Sequence, residues 1–336
     1  MTSAQPRKIA VVTGGTAGVG RATVREFARS GYDVAVLARG QAGLDAAVRE
    51  VRSAGGRGLG IPTDVADYAA VQAAAEQVEA DLGPIDVWVN VAFVGSLAFF
   101  WDTTMEEYRR MTEVTYFGQV HGTHVALARM RPRDRGVIIN VGSAMAYRSI
   151  PLQSAYCGAK HAVKGFSESV ITELAHEKSK VKLCMVQLPG LNTPQFNWNL
   201  NKMGKHPMPV PPVFAPELPA RAIRFLAEHP RRNMWVGIST AYTILGERIA
   251  PKLIDLYLGR TGVSSQQTDQ ELPRWGSNVD EPRDADTDRG AHGPFENQAH
   301  NRDPQLWASM HRRSILSGLA AAAGAAALTA ARLAGR

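Results

Sequence analysis

Apolar runs rich in β-branched residues recur along the first two thirds of the chain, each followed by a segment of helical character. Residues 8–12, 33–38, 59–62, 85–90, 137–141, 181–188 and 234–238 read as strands, and their near-continuous apolar content suits burial on both faces. Between them, residues 21–30, 44–54, 68–82, 103–130, 155–166 and 219–228 read as helices, and helical patterning resumes over 244–258. Thr103 with Glu106 has the spacing of a capping box and would open the helix that runs to about Met130. Strand and helix in regular alternation predict an α/β fold, a parallel sheet with helices on both faces.

Two stretches break the alternation. The loop over 91–101 is unusually apolar, with Phe93, Phe99, Phe100 and Trp101. Residues 194–216 are rich in Pro, Met and aromatics, including Phe196, Trp198, Met203, Met208 and Phe214. So many large apolar side chains in a loop need something to cover, which predicts a lid that supplies a substrate pocket.

Beyond Gly262 the character changes. Asp, Arg, Gln, Gly and Pro dominate 263–310, with too few apolar residues to offset the entropy of ordering, so an extended or disordered linker is expected there. The chain then reads as a basic turn and an alanine-rich helical tail over 311–336. Its uncharged length is near the lower limit for a bilayer span, but alanine contributes little hydrophobic drive. A soluble helix is favoured, with membrane contact through 311–336 as the alternative. The chain thus divides into a catalytic domain over 1–262, a linker over 263–310 and the tail.

At 336 residues and 45% hydrophobic content the chain can bury a full core. Two cysteines, Cys157 and Cys184, give no disulfide framework and suit a reducing compartment; the apolar run at 9–12 is too short for a secretory signal. A cytoplasmic location is expected. The net charge is +7, yet the basic residues are scattered among acids, which argues for loop solvation and against nucleic-acid binding. His121 and His124 share a helix face without a third ligand at metal spacing, so no metal site is read.

Strand 8–12 runs into Thr13-Gly14-Gly15-Thr16-Ala17-Gly18-Val19-Gly20 and then a helix. Strand, glycine loop and helix in that order let a pyrophosphate approach the unpaired amides of the helix N-terminus. At the end of the next strand, where a dinucleotide-binding unit meets the adenosine ribose, stands Arg39. A carboxylate there would hold a free 2′-hydroxyl, whereas an arginine can pair with a 2′-phosphate, so NADP(H) is expected ahead of NAD(H). Asp64 and Val65 follow the third strand, where the aspartate can cap the next helix and contact adenine.

The remaining chemistry lies in Ser143 to Lys160. In a helix over 155–166, Tyr156 and Lys160 stand one turn apart on one face. A phenol is a poor proton donor at neutral pH until a cation favours its phenolate, and Lys160 offers that cation. Ser143, just past strand 137–141, can polarise a carbonyl.

Thr13-Gly14-x-x-x-Gly18-x-Gly20, Asn90, Ser143, Tyr156-x-x-x-Lys160 and Pro189-Gly190 together resemble the classical short-chain dehydrogenase/reductase superfamily over about residues 7–260, in a branch with a C-terminal extension. The resemblance implies a single Rossmann-type doubly wound domain, usually a homo-oligomer, that moves a hydride between a nicotinamide cofactor and a carbonyl or alcohol. Carried over, Ser143 orients the substrate oxygen, Tyr156 is the general acid or base, and Lys160 lowers the tyrosine pKa and binds the nicotinamide ribose. Thr13, Gly14, Thr16, Gly18, Val19 and Gly20 receive the pyrophosphate, Asp64 and Val65 the adenine, and Pro189, Gly190 and Thr193 the nicotinamide end, with Asn90 beside them. Two departures stand out. Phe93 takes the place of a glycine near the cofactor, and Thr115 takes the place of the asparagine that holds a water in the proton relay; its hydroxyl reaches less far. The expected function is NADP(H)-dependent oxidoreduction of a fairly large, apolar carbonyl or secondary alcohol. The alternative is an NADP-binding scaffold or sensor with weak or no catalysis.

Overall fold

The computed structural model describes residues 7–271 and 275–334, with side chains to residue 323. Positions 335–336 of the expected tail and 1–6 of the expected first domain lie outside the described residues.

Seven apolar runs pair into one sheet. The strands are β1 (Ile9–Thr13), β2 (Asp33–Ala38), β3 (Gly58–Pro62), β4 (Val87–Asn90), β5 (Val137–Val141), β6 (Lys182–Gln187) and β7 (Asn233–Trp235). Their order across the sheet is β7-β6-β5-β4-β1-β2-β3, with every pairing parallel. The seven-stranded parallel sheet, covered by helices on both faces, has the Rossmann-type doubly wound architecture expected from the alternation. Because β1 and β2 carry no polar face, they can lie only in the middle of such a stack, and all their residues are buried.

Helices α1 (Gly18–Arg29), α2 (Gln41–Ser53) and α7 (Glu217–Glu228) cover one face, and Phe27, Leu44 and Leu226 fill the core beneath them. Helices α3 (Tyr68–Asp81), α4 (Met105–Thr112), α5 (Gly118–Met130) and α6 (Ser154–His176) cover the other, over Trp88, Met111 and Leu174. Winding reverses between β1 and β4. The crevice at the carboxyl ends of those strands is where a doubly wound sheet binds ligands.

Several predicted boundaries shift. The helix expected over 103–130 is α4 and α5 joined by a π-helical turn, Glu113–Phe117. Its capping box lies one residue later than expected: the Glu107 amide donates to Thr104 Oγ1 at 3.3 Å and the Thr104 amide to Glu107 Oε2 at 2.8 Å. Pro251 divides the pattern at 244–258 into α8 (Ile238–Ile249) and α9 (Pro251–Thr261), since a proline lacks the amide that would continue the ladder.

The largest difference concerns the segment expected to be a disordered linker. Residues 275–303 form an irregular strap packed on the sheet domain, with Val279, Ala291 and Phe295 all buried. Asp288 pairs with the fully buried Arg21 at 3.0 Å, and the Gly18 amide donates to the Gly290 carbonyl at 3.1 Å. The strap is ordered by polar groups matched to partners far away in sequence, which composition cannot reveal. Helix α10 (Pro304–Met310) continues it into α11 (Arg312–Ala334). Among the described residues no helix is long and apolar enough to cross a membrane.

Candidate active site

The glycine loop leaves β1 and enters α1 at the crevice. Gly14 and Gly18 hold φ of 66° and 54°, in the left-handed region that glycine adopts without strain. A side chain at Gly20 would collide with the Gly14 carbonyl oxygen, so the loop closes tightly only without one. Thr16, Gly18, Val19 and Gly20 line a cavity of about 260 Å³ that extends to Ser143, Tyr156 and Lys160. Arg39, Asp64 and Val65 line one end of it, and Pro189, Gly190 and Thr193 line the wall between.

Chain direction brings the three polar side chains together. β5 delivers Ser143, whose Oγ accepts the Met145 amide at 3.2 Å, and α6 presents Tyr156 and Lys160 one turn apart. Lys160 is 1% exposed, and its Nζ donates to the Val141 carbonyl at 2.8 Å. Gln119 Nε2 donates to that same carbonyl at 3.0 Å, a contact with no sequence signature. The Lys160 nitrogen lies 5.5 Å from the Tyr156 ring centre and 5.7 Å from that of Phe93. Phe93 meets Tyr156 edge-to-face at 5.6 Å, so the residue that replaces a glycine packs on the tyrosine itself.

Burial governs the acid–base properties. It pushes the Tyr156 phenol well up, with a hydrogen bond from Ser143 acting against it, and pushes the Lys160 ammonium down to about 7. This differs from the sequence expectation that Lys160 would lower the phenol. Near pH 7 the amine is divided between its two forms, and only the protonated one attracts a phenolate.

Asp64 does not cap α3. Asp67 does, accepting the Ala69 and Ala70 amides, while Asp64 accepts the Ala66 amide at 3.0 Å and bonds Arg110. Burial would raise the Asp64 carboxyl, and the Arg110 guanidinium with the Ala66 amide outweighs it, leaving the group lowered. Arg39 also differs from expectation: its guanidinium donates to the carbonyls of Asn278, Val279 and Asp280 on the strap. Leu97, Met145, Phe196, Trp198 and Met208 give the cavity apolar lining. Three of these come from the 194–216 segment. Sequence reasoning missed the strap residues Asn278, Pro282, Arg283 and Asp284, which also line the cavity.

The short chain dehydrogenase family profile matches residues 8–203, more than half of the chain. The chain belongs to the short-chain dehydrogenase family. It is therefore an oxidoreductase of the NAD(P)-dependent kind acting on CH–OH and C=O groups. An uncharacterised oxidoreductase of Bacillus subtilis, YxnA, is 30% identical over 328 residues, 97% of this chain and 90% of that protein, so the likeness extends through the C-terminal region. A 3-oxoacyl-[acyl-carrier-protein] reductase of Bos taurus is 32% identical over 58% of this chain and 80% of its own length. Among solved structures, a short-chain dehydrogenase from Streptomyces avermitilis superposes with a TM-score of 0.64 at 26% identity, covering 76% of this chain and 97% of its own. A short-chain dehydrogenase/reductase from Burkholderia phymatum in complex with NAD shares the fold, with a TM-score of 0.64 at 23% identity over 75% of this chain and 95% of its own.

Three residues that the family resemblance assigns to the site do not line this short-chain dehydrogenase's cavity. Thr13 Oγ1 accepts the Val91 and Ala92 amides at 3.1 and 3.3 Å, tying β1 to the loop after β4. Asn90 is fully buried behind the sheet. It accepts Trp88 Nε1 at 2.8 Å and donates to Asn140 Oδ1 at 2.8 Å and Thr123 Oγ1 at 3.1 Å. Asn90→Ala leaves the buried Trp88 Nε1 without its acceptor, while Asn140 Oδ1 keeps the bond from Thr123 Oγ1 at 3.1 Å, and urea unfolding should show a loss of about 1–3 kcal/mol.

Thr115 lies in the π-helical turn, where its hydroxyl donates to the Val94 carbonyl at 2.8 Å and accepts the Val94 amide at 3.1 Å. The hydroxyl thus pins the apolar loop, and Thr115 does not line the cavity. Thr115→Val, nearly equal in shape, should cost about 1–3 kcal/mol in thermal unfolding by leaving two backbone groups unpaired.

Proposed function

We propose that this oxidoreductase reduces an apolar carbonyl, or oxidises the matching secondary alcohol, with Tyr156 as the proton donor or acceptor. The observation that carries the reading is one cavity lined both by the glycine loop and by Ser143, Tyr156 and Lys160, with Phe196 and Met208 among its apolar walls. The cavity suits a dinucleotide: it runs past Thr16, Gly18, Val19 and Gly20, where β1 gives way to the N-terminus of α1. A nicotinamide coenzyme bound along that loop supplies or takes up the hydride.

Residues of this chain do the rest. The Ser143 hydroxyl orients the substrate oxygen beside Tyr156. The Tyr156 phenol, kept protonated by burial, gives its proton as negative charge develops on that oxygen. Lys160, held near pH 7, can bind or release a proton there under neutral conditions. Phe93, Phe196 and Trp198 favour a substrate that is apolar around its reacting carbon.

The expectation of NADP(H) drew on an Arg39 free to meet a phosphate. With its guanidinium bonded to strap carbonyls, Arg39 gives that preference little support, and NAD(H) stands as the competing coenzyme. We further propose a homo-oligomer, supported by Ile249, Leu253 and Tyr257, which α8 and α9 leave largely exposed, and a reducing, cytoplasmic setting, supported by the unpaired buried thiols of Cys157 and Cys184.

The direct test is a panel of aldehydes and ketones with oxidation of NADH and NADPH as the readout, run beside a Tyr156→Phe control. Turnover above the control on apolar carbonyls is the expected result. Coenzyme binding without turnover anywhere on the panel would instead favour a nucleotide-binding scaffold.

A further inference from the structure

We infer that Asp284, carried by the C-terminal strap, selects the coenzyme, favouring NAD(H) over NADP(H) by accepting hydrogen bonds from an unphosphorylated adenosine ribose. The inference rests on the dinucleotide reading of the cavity and adds a specificity residue from outside the sheet domain.

The corner in question is the carboxyl end of β2 beside the glycine loop, where a doubly wound unit receives that ribose. β2 ends in Ala38-Arg39-Gly40, without the acidic residue that would hold a ribose hydroxyl. The strap supplies one. Asp284 is 7% exposed, and its carboxylate lies so close to Gly40 and Gly43 that a side chain at either would strike it, with Thr16 alongside. It lines the cavity, and among the described residues its carboxylate has no hydrogen-bond or ion-pair partner. A nearly buried carboxylate in that state is an acceptor awaiting donors.

The groups that could welcome a phosphate at this corner are already engaged. Arg39 gives its terminal nitrogens to the carbonyls of Asn278, Val279 and Asp280. The first amides of α2 are occupied as well, Ala42 by the Ala285 carbonyl at 3.0 Å and Gly43 by the Asp284 carbonyl at 3.1 Å. Arg283 also lines the cavity, but its Nε donates to the Ser277 carbonyl at 2.7 Å and its guanidinium lies 3.6 Å from Glu281, so it folds back on its own turn. A 2′-phosphate would therefore meet a carboxylate, whereas a ribose diol would meet a vacant acceptor. The ion pair of Asp288 with Arg21 and the bond from Gly18 to Gly290 hold the strap in register, so the position of Asp284 is fixed.

The test is fluorescence titration of the full chain with NADH and NADPH in the absence of substrate. The wild type should bind NADH at least about tenfold more tightly than NADPH. Asp284→Asn keeps an acceptor but removes the charge, and should narrow that ratio to within about threefold, chiefly by tightening NADPH. Asp284→Ala should weaken NADH as well. A wild-type preference for NADPH, or a ratio unchanged in Asp284→Asn, overturns the inference while leaving the oxidoreductase reading intact; loss of NADPH binding in Arg283→Gln also overturns it, by assigning the corner to phosphate. If neither coenzyme binds the wild type, the dinucleotide reading falls and the inference falls with it.

Discussion

Tyr156→Phe should lower turnover about a thousandfold while leaving coenzyme affinity within about twofold of wild type. The substitution removes one oxygen and preserves the ring, whose edge-to-face contact with Phe93 at 5.6 Å keeps that part of the pocket filled. What is lost is the phenol beside Ser143 and Lys160, and with it the proton that must reach the substrate oxygen as charge builds there. Positioning catalysis in general acid transfer is commonly worth about 100- to 10,000-fold, so the effect is far above any loss from packing. Stopped-flow measurement of a single turnover on a substrate from the carbonyl panel, with coenzyme binding measured separately, checks it. A variant that keeps most of its rate would take the proton from elsewhere and end the assignment of Tyr156.

Lys160→Met should do two opposite things: reduce turnover by about 100-fold or more and raise the stability of the coenzyme-free protein at pH 7. The lysine is buried with no carboxylate beside it among the described residues, and burial brings its pKa from 10.5 down to about 7. Below pH 7 it is protonated whether folded or unfolded, and the full cost of burying the charge is present. Between about pH 7 and 10.5 the unfolded chain holds a proton that the folded chain has released, so native stability rises with pH across that window. At about 1.4 kcal/mol per pKa unit, the burden on the fold at neutral pH is a few kcal/mol. Methionine fills similar space without the charge, and the Val141 carbonyl keeps its bond from Gln119. Urea unfolding should therefore show a gain of about 1–4 kcal/mol at pH 7 that shrinks toward pH 10. A variant less stable than wild type at both pH values would show that the ammonium stabilises the fold.

These two residues illustrate how a site can be read from a chain and still behave differently once folded. The spacing of Tyr156 and Lys160 fixes their adjacency, because any helix brings positions four apart onto one face. Their acidities are another matter. Burial removes water from both groups, with Phe93 packed on Tyr156 and Lys160 against the Val141 carbonyl. Asn90 and Thr115 carry the same lesson. Each stands where the family pattern puts it, but one side chain turns behind the sheet toward Asn140 and the other toward Val94.

By itself the sequence determined the strand and helix alternation, the glycine loop and the serine, tyrosine and lysine that follow β5, because each is written in neighbouring residues through periodicity, backbone freedom or helical spacing. What covers the Arg39 end of the cavity is settled only by contacts between residues far apart in the chain. Arg39 is bonded to carbonyls about 240 positions later, and Asp284 reaches Gly40 from a segment whose composition resembles a disordered tether. Contacts made through backbone carbonyls carry no residue signature, and a polar segment shows its order only where distant partners meet it.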